Sequence, residues 1–156
     1  REPWHYPAIA GTVKKWWRLR YKLIPYILRE SEKAVNGGST IVQALIFHHP
    51  DDRLCWHIDD EYYFGDDMLV APVMNSDNVR DVYLPEGNWR NLFTGERIEG
   101  NQWLKDLYTP LELMPVYVRE GAVIPVYPED VDCTDDMDLS KVTEIKIDET
   151  FEGIKL

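Results

Sequence analysis

The stretch Asp60-Glu61-Tyr62-Tyr63-Phe64-Gly65-Asp66-Asp67-Met68-Leu69-Val70-Ala71-Pro72-Val73 decides how this chain is read. So long a mixture of aromatic, acidic and aliphatic residues is too specific for a generic strand or turn. Its second half, Met68 to Val73, is a short apolar run of the kind that forms a buried strand. Working outward, further short apolar runs lie at Ile41 to Phe47, Val79 to Leu84, Trp89 to Phe93, Val116 to Val118 and Val123 to Val126. Turn signals separate them at Pro85-Glu86-Gly87, Thr94-Gly95 and Glu120-Gly121. Strands at this spacing predict an antiparallel β-sandwich.

Upstream the period changes. Ile9, Val13, Trp16, Trp17, Leu23, Ile24, Ile27 and Leu28 recur mostly three and four residues apart, with Lys14, Lys15, Arg18, Lys22, Arg29 and Lys33 between them. This pattern predicts one long amphipathic helix, kinked where Pro25 removes a backbone donor and stopped at Asn36-Gly37-Gly38. Its apolar stripe is too wide to be left in water. Downstream, residues 128–140 hold six acidic residues and no basic one, the pattern of an exposed linker. Val142 to Asp148 then alternates apolar and polar residues like a half-buried strand.

Composition narrows the function classes. A length of 156 residues suits one compact domain with pieces of another, and falls short of the roughly 250 residues that a (β/α)₈ barrel needs. The net charge of -11 is unevenly spread: residues 1–36 carry eight Lys/Arg against three Asp/Glu, and the remainder nine against twenty-five. The acidic part would repel phosphate and the basic helix is short, so nucleic acid is not an expected partner. No apolar run approaches the ~18 residues of a membrane span. Cys55 and Cys133 lie far apart and read as free thiols, which leans toward a reducing, cytoplasmic setting. An opening at Arg1 rather than Met leads to the expectation of a cut or processed start.

Read with Arg1-Glu2-Pro3-Trp4, Leu23-Ile24-Pro25-Tyr26, Pro50-Asp51-Asp52, Tyr83-Leu84-Pro85-Glu86-Gly87-Asn88-Trp89 and Met114-Pro115-Val116-Tyr117-Val118-Arg119, the opening stretch resembles the C-terminal part of glycoside hydrolase family 31, especially its α-xylosidases. The blocks keep the family's order over roughly positions 1–127. The resemblance implies a mostly β chain with one long N-terminal helix, its β-sandwich following the end of a (β/α)₈ barrel. Residues 1–38 would end the barrel, 39–127 form the proximal β-domain, 128–140 link, and 141–156 begin a distal β-domain. The parent would be a retaining, exo-acting α-glycosidase acting on an oligosaccharide or glycoside without a cofactor, and a homo-oligomer is one way to cover the helix stripe.

In that family both catalytic aspartates and a substrate-binding histidine precede the Arg1-Glu2-Pro3-Trp4 match. None of the carboxylates here inherits a catalytic role, and this part alone is expected to be inactive. Trp4 follows the barrel rim in the resemblance and reads as a loop anchor first and a sugar contact second. The pairs Asp51-Asp52, Asp59-Asp60 and Asp66-Asp67 could form acid–base pairs, but neighbours on a strand point to opposite faces and those in turns cap or solvate. His48, His49, Cys55 and His57 are ligand types without zinc spacing, and the run Asp130, Asp132, Asp135, Asp136 departs from a calcium loop at Asp135 and Lys141. Trp56, Trp89 and Trp103 could stack on sugars but read as core. The alternatives are an α-glucosidase of the same family, or a β-sandwich that binds carbohydrate or protein without catalysis.

Overall fold

The computed structural model describes residues 5–38 and 40–155. The chain opens with two helices, α1 (Pro7–Lys22) and α2 (Ile24–Val35). The single kinked helix expected from the apolar period is thus corrected to two, broken at Leu23. Pro25 has no N–H to give, which is harmless at the second position of a new helix, where no intrahelical partner exists. The predicted stop is in place. Gly37 takes a left-handed φ of 85°, and the amides of Gly37 and Gly38 bond back to the carbonyls of Ala34 and Lys33, the paired bonds of a Schellman end.

Among the described residues ten strands follow. They are β1 (Val42–Gln43), β2 (Tyr62–Phe64), β3 (Met68–Val70), β4 (Val79–Leu84), β5 (Asn88–Asn91), β6 (Arg97–Glu99), β7 (Gln102–Tyr108), β8 (Val116–Arg119), β9 (Val123–Val126) and β10 (Thr143–Lys146). The expected strand from Ile41 to Phe47 is corrected: only β1 pairs, and Leu45–His48 forms a short helix, α3, that buries Leu45. Strands β1-β2-β3-β8-β5-β6, in that order, make an antiparallel six-stranded sheet; β4 pairs with β7 and β9 with β10.

The six-stranded sheet is the middle layer, and its pleat sorts the core in two. Met68, Val70, Val116 and Val118 face α1, α2 and β9, meeting Leu19, Leu23, Tyr26 and Ile124. Their neighbours Tyr63, Leu69, Trp89 and Tyr117 face the other way, onto Val82, Leu84 and Leu104 of the β4–β7 pair. Covered on both faces, β3 is buried at every residue, which is why its sequence is continuously apolar rather than alternating. The segment 141–156 is expected to begin a further β-domain, but its described residues, 141–155, pack on this body: β10 pairs residue by residue with β9, and Ile147, Phe151 and Ile154 join the core on the helix side. Residues 128–140 are largely exposed, as the charge pattern suggests.

Candidate functional site

The opening stretch forms the hairpin β2–β3 at the centre of the sheet, and its polar residues sit at the hairpin's turn. Gly65 has φ 66°, and a Cβ there would lie 2.3 Å from the Tyr26 hydroxyl, so backbone and helix meet where only glycine fits. Tyr26 Oη donates to the carbonyl of Phe64 at 2.7 Å and accepts from the amide of Asp67 at 3.3 Å. Around it, Arg29 bonds Asp67 at 2.6 Å and Lys33 bonds Asp66 at 2.7 Å, while both also reach the buried carboxylate of Glu30. The Lys33 hydrogen bond holds the Asp66 carboxyl below its usual range. Burial moves Asp67 the opposite way, against the pull of Arg29. Two cations and three carboxylates thus tie α2 to the turn.

A second network lies on the other face. Glu61 Oε1 accepts from the Tyr83 amide at 2.8 Å and from Arg80 Nη2 at 3.2 Å, and Arg80 also donates to the carbonyls of Asp60, Pro72 and Asp81. Glu61 Oε2 is buried without a partner. Burial pushes its carboxyl up to about 7, more than the Tyr83 amide and Arg80 hold it down. Nearby, Arg119 Nη2 donates to the Tyr63 hydroxyl at 3.0 Å, and that hydroxyl lies 2.7 Å from His49 Nε2.

The sequence-derived candidates therefore separate. Asp66 and Asp67 come together with α2, and Asp52 is drawn inward: it accepts the Leu54 amide in a 3₁₀ turn and the Tyr83 hydroxyl at 2.6 Å. Asp60 lies 3.2 Å from Arg80 but is itself exposed, as are Asp51 and Asp59. Geometry thus gives Asp52, Asp60, Asp66 and Asp67 structural partners inside the fold. His48 and His49 gather on Tyr63 and Cys55 is buried nearby, whereas His57 is exposed; among the described residues no three His, Cys, Asp or Glu side chains converge as a metal would need. Trp89 is core, as read. Trp56 and Trp103 are 61% and 38% exposed, which corrects the core reading for both. The Trp56 indole is pinned by a bond to the Pro50 carbonyl, and Lys105 lies over the Trp103 ring at 4.6 Å. Trp4 lies outside the described residues.

Sequence reading missed Tyr26, Arg29, Glu30, Lys33, Arg80 and Arg119 as partners of the quoted stretch. The available signal was the cationic flank of the helix, Arg29 and Lys33 four residues apart, facing an Asp-Asp pair that needs cations. Chemically the arrangement is a joint. Its carboxylates pair with the partly exposed cations of α2 and with buried Arg80, and its hydroxyls satisfy backbone groups.

The sequence profile described as "Glycosyl hydrolase family 31 C-terminal domain" matches residues 38–124. An α-xylosidase of Saccharolobus solfataricus is 36% identical over 134 residues, covering 84% of this chain and 18% of the relative. "Alpha-glucosidase 2" of Bacillus thermoamyloliquefaciens is 33% identical over 126 residues, covering 80% and 16% respectively. The solved structure of a family 31 dextranase from Flavobacterium johnsoniae, complexed with isomaltotriose, superposes with a TM-score of 0.84 at 30% identity. That match covers 96% of this chain and 18% of the dextranase. The chain thus spans less than a fifth of the length of each.

Proposed function

This chain belongs to glycosyl hydrolase family 31, and from that premise we propose that it is the C-terminal portion of a retaining, exo-acting α-glycosidase, an α-xylosidase that removes terminal α-xylosyl residues from an oligosaccharide. The observation that carries the reading is the ordered set of blocks through residues 38–124, together with 36% identity to an α-xylosidase over 134 residues. Hydrolysis with retention requires a nucleophilic and a proton-donating carboxyl roughly 5 Å apart. Each of the Asp pairs described above has at least one member bonded elsewhere, Asp67 to Arg29, Asp66 to Lys33, Asp60 to Arg80 and Asp52 to Tyr83, which supports assigning the chemistry to the barrel of the parent enzyme.

In this reading α1 and α2 end that barrel. Their inner line, Leu19, Leu23, Tyr26 and Glu30, holds the β-sheet, while Trp17 and Leu28 on the outer side are 46% and 50% exposed and offer the barrel an apolar stripe. A second reading, α-glucosidase, is favoured by the 33% identity to such an enzyme and by the dextranase likeness.

The test is to express the full open reading frame and compare release of xylose from aryl α-xyloside with release of glucose from aryl α-glucoside, following the first-formed anomer by NMR. Faster xylose release with α product is expected. Faster glucose release transfers the assignment to α-glucosidase, β product overturns retention, and no hydrolysis of either overturns the proposal. The 156-residue chain alone is expected to hydrolyse neither.

A further inference from the structure

Two polar atoms that the described residues bury without a partner lie against one ring. Tyr63 stands on the face of the sheet turned toward β4 and β7. Gln43 lies opposite it on β1, the His48 ring stacks on it at 4.0 Å, and the Arg119 guanidinium lies 5.3 Å from its centroid. His48 Nε2 and Arg119 Nε are both buried with no hydrogen-bond partner, while Gln43 turns its amide toward the Asp66 carboxylate. Each such group costs about 1–3 kcal/mol relative to its hydrated state. Opening this corner to water would recover that energy, so the packing here is weaker than its aromatic area suggests.

His49 adds a constraint of polarity. Its Nε2 is 2.7 Å from the Tyr63 hydroxyl and 3.4 Å from Arg119 Nη2. A guanidinium only donates. The consistent arrangement is therefore a relay in which Arg119 donates to Tyr63 and Tyr63 donates to a neutral His49 that carries its proton on Nδ1. A proton on Nε2 would reverse the last step: the Tyr63 hydroxyl would lose its acceptor, and an imidazolium would stand 3.4 Å from a guanidinium nitrogen.

We infer that residues 45–57, which comprise α3 and the 3₁₀ turn after it, form an acid-released flap, latched to the sheet by the neutral His49–Tyr63–Arg119 relay and freed when His49 takes a proton. The groups facing His49 are Arg119 from β8, Tyr63 from β2, its neighbour His48, Asp52 within the flap and Glu86 in the turn after β4; Asp66 faces His48. Asp52 and Glu86 favour the imidazolium, whereas burial, Arg119 and His48 oppose it. Both rings consequently lie below the usual histidine range, with burial the leading cause. Once the relay breaks, the flap is held by Leu45 and Cys55 in the core and by the 2.6 Å bond from Tyr83 to Asp52. Its outward residues Phe47, Leu54 and Trp56 are already exposed, so the apolar cost of freeing it falls on Leu45 and Cys55, which the closed flap buries completely.

The test is amide hydrogen exchange of the chain between pH 8 and 5, read at His49, Cys55 and His57, whose amides bond within the flap. These amides are expected to exchange faster than those of β9 and without acceleration by low urea, as a local opening does. Their protection should fall as pH drops below ~6.5, by at most tenfold per pH unit and only over the span down to the lowered folded-state value of His49. His49→Gln, which can still accept from Tyr63, should flatten that slope. Flap amides exchanging in step with β9 at every pH and urea concentration would overturn the inference, as would protection independent of pH. If the variant fails to fold, NMR titration of His49 in the unaltered chain decides: a midpoint at or above 6.5 rules the latch out.

Discussion

At Gly65 a hydrogen atom is all that fits between the β2–β3 turn and α2. Gly65→Ala would force a Cβ to within 2.3 Å of Tyr26 Oη and 2.6 Å of Glu30 Cγ, on a backbone that L residues avoid. The expected cost is roughly 2–4 kcal/mol, read as a lowered urea midpoint with the slope unchanged. Glu61 gives a pH signature. Its carboxyl, at about 7 when folded against 4.5 in its ordinary state, binds a proton more tightly in the native chain. The stability this contributes is full below about 4.5 and is lost as pH rises through about 7. Glu61→Gln, which cannot ionise, should remove that decline, so the variant gains on the parent chain by a few kcal/mol between pH 5 and 8 in urea titrations. A constant difference across this range would mean that Glu61 is ionised throughout. Neither residue announces its role in sequence, because Gly65 looks like any turn glycine and burial of Glu61 depends on β4 coming to lie beside it.

Elements that local pattern specifies were legible and those that pairing specifies were not. The ends of β4 and β9 match the apolar runs that predict them, and the glycine stop of α2 is where the sequence puts it. Strand β7 carries Asp106 at φ 52° and a register shift against Arg80 and Val82, which breaks the alternation that would have revealed it. Strand β6, Arg-Ile-Glu, is short and mostly exposed, and β2 lies hidden among residues whose acidic neighbours suggest a turn. The link between α2 and the β2–β3 turn is also a matter of pairing. Arg29 and Asp67 are partly buried and 2.6 Å apart, so a double-mutant cycle of Arg29→Met and Asp67→Asn should show a coupling of about 1–2 kcal/mol that survives 0.5 M salt. A coupling near zero would make the contact incidental to how the helix is held.

For the whole molecule, the decisive question is whether residues 141–156 belong to the body they pack on. Removing them deletes β10 and takes Ile147, Phe151 and Ile154 out of the core. At about 1.5–3 kcal/mol for each of these three buried side chains, a chain ending at residue 140 should lose roughly 4.5–9 kcal/mol, enough to abolish cooperative unfolding in a domain of ordinary stability. An unchanged transition would show the segment to be independent of the body. The sequence by itself determined the mostly antiparallel β character, the place of the helical opening and the family, because periodicity, turn residues and ordered blocks are written along the chain. Only the tertiary structure decided that the helical opening is two helices, that Ile41 to Phe47 turns into a short helix, that Asp66 and Asp67 are spent on Lys33 and Arg29, that Trp56 faces water, and that Tyr63 holds a histidine and an arginine together. Each of these depends on which distant segment supplies the neighbour, and hydrogen-bond partners and burial are properties of that neighbour rather than of the residue.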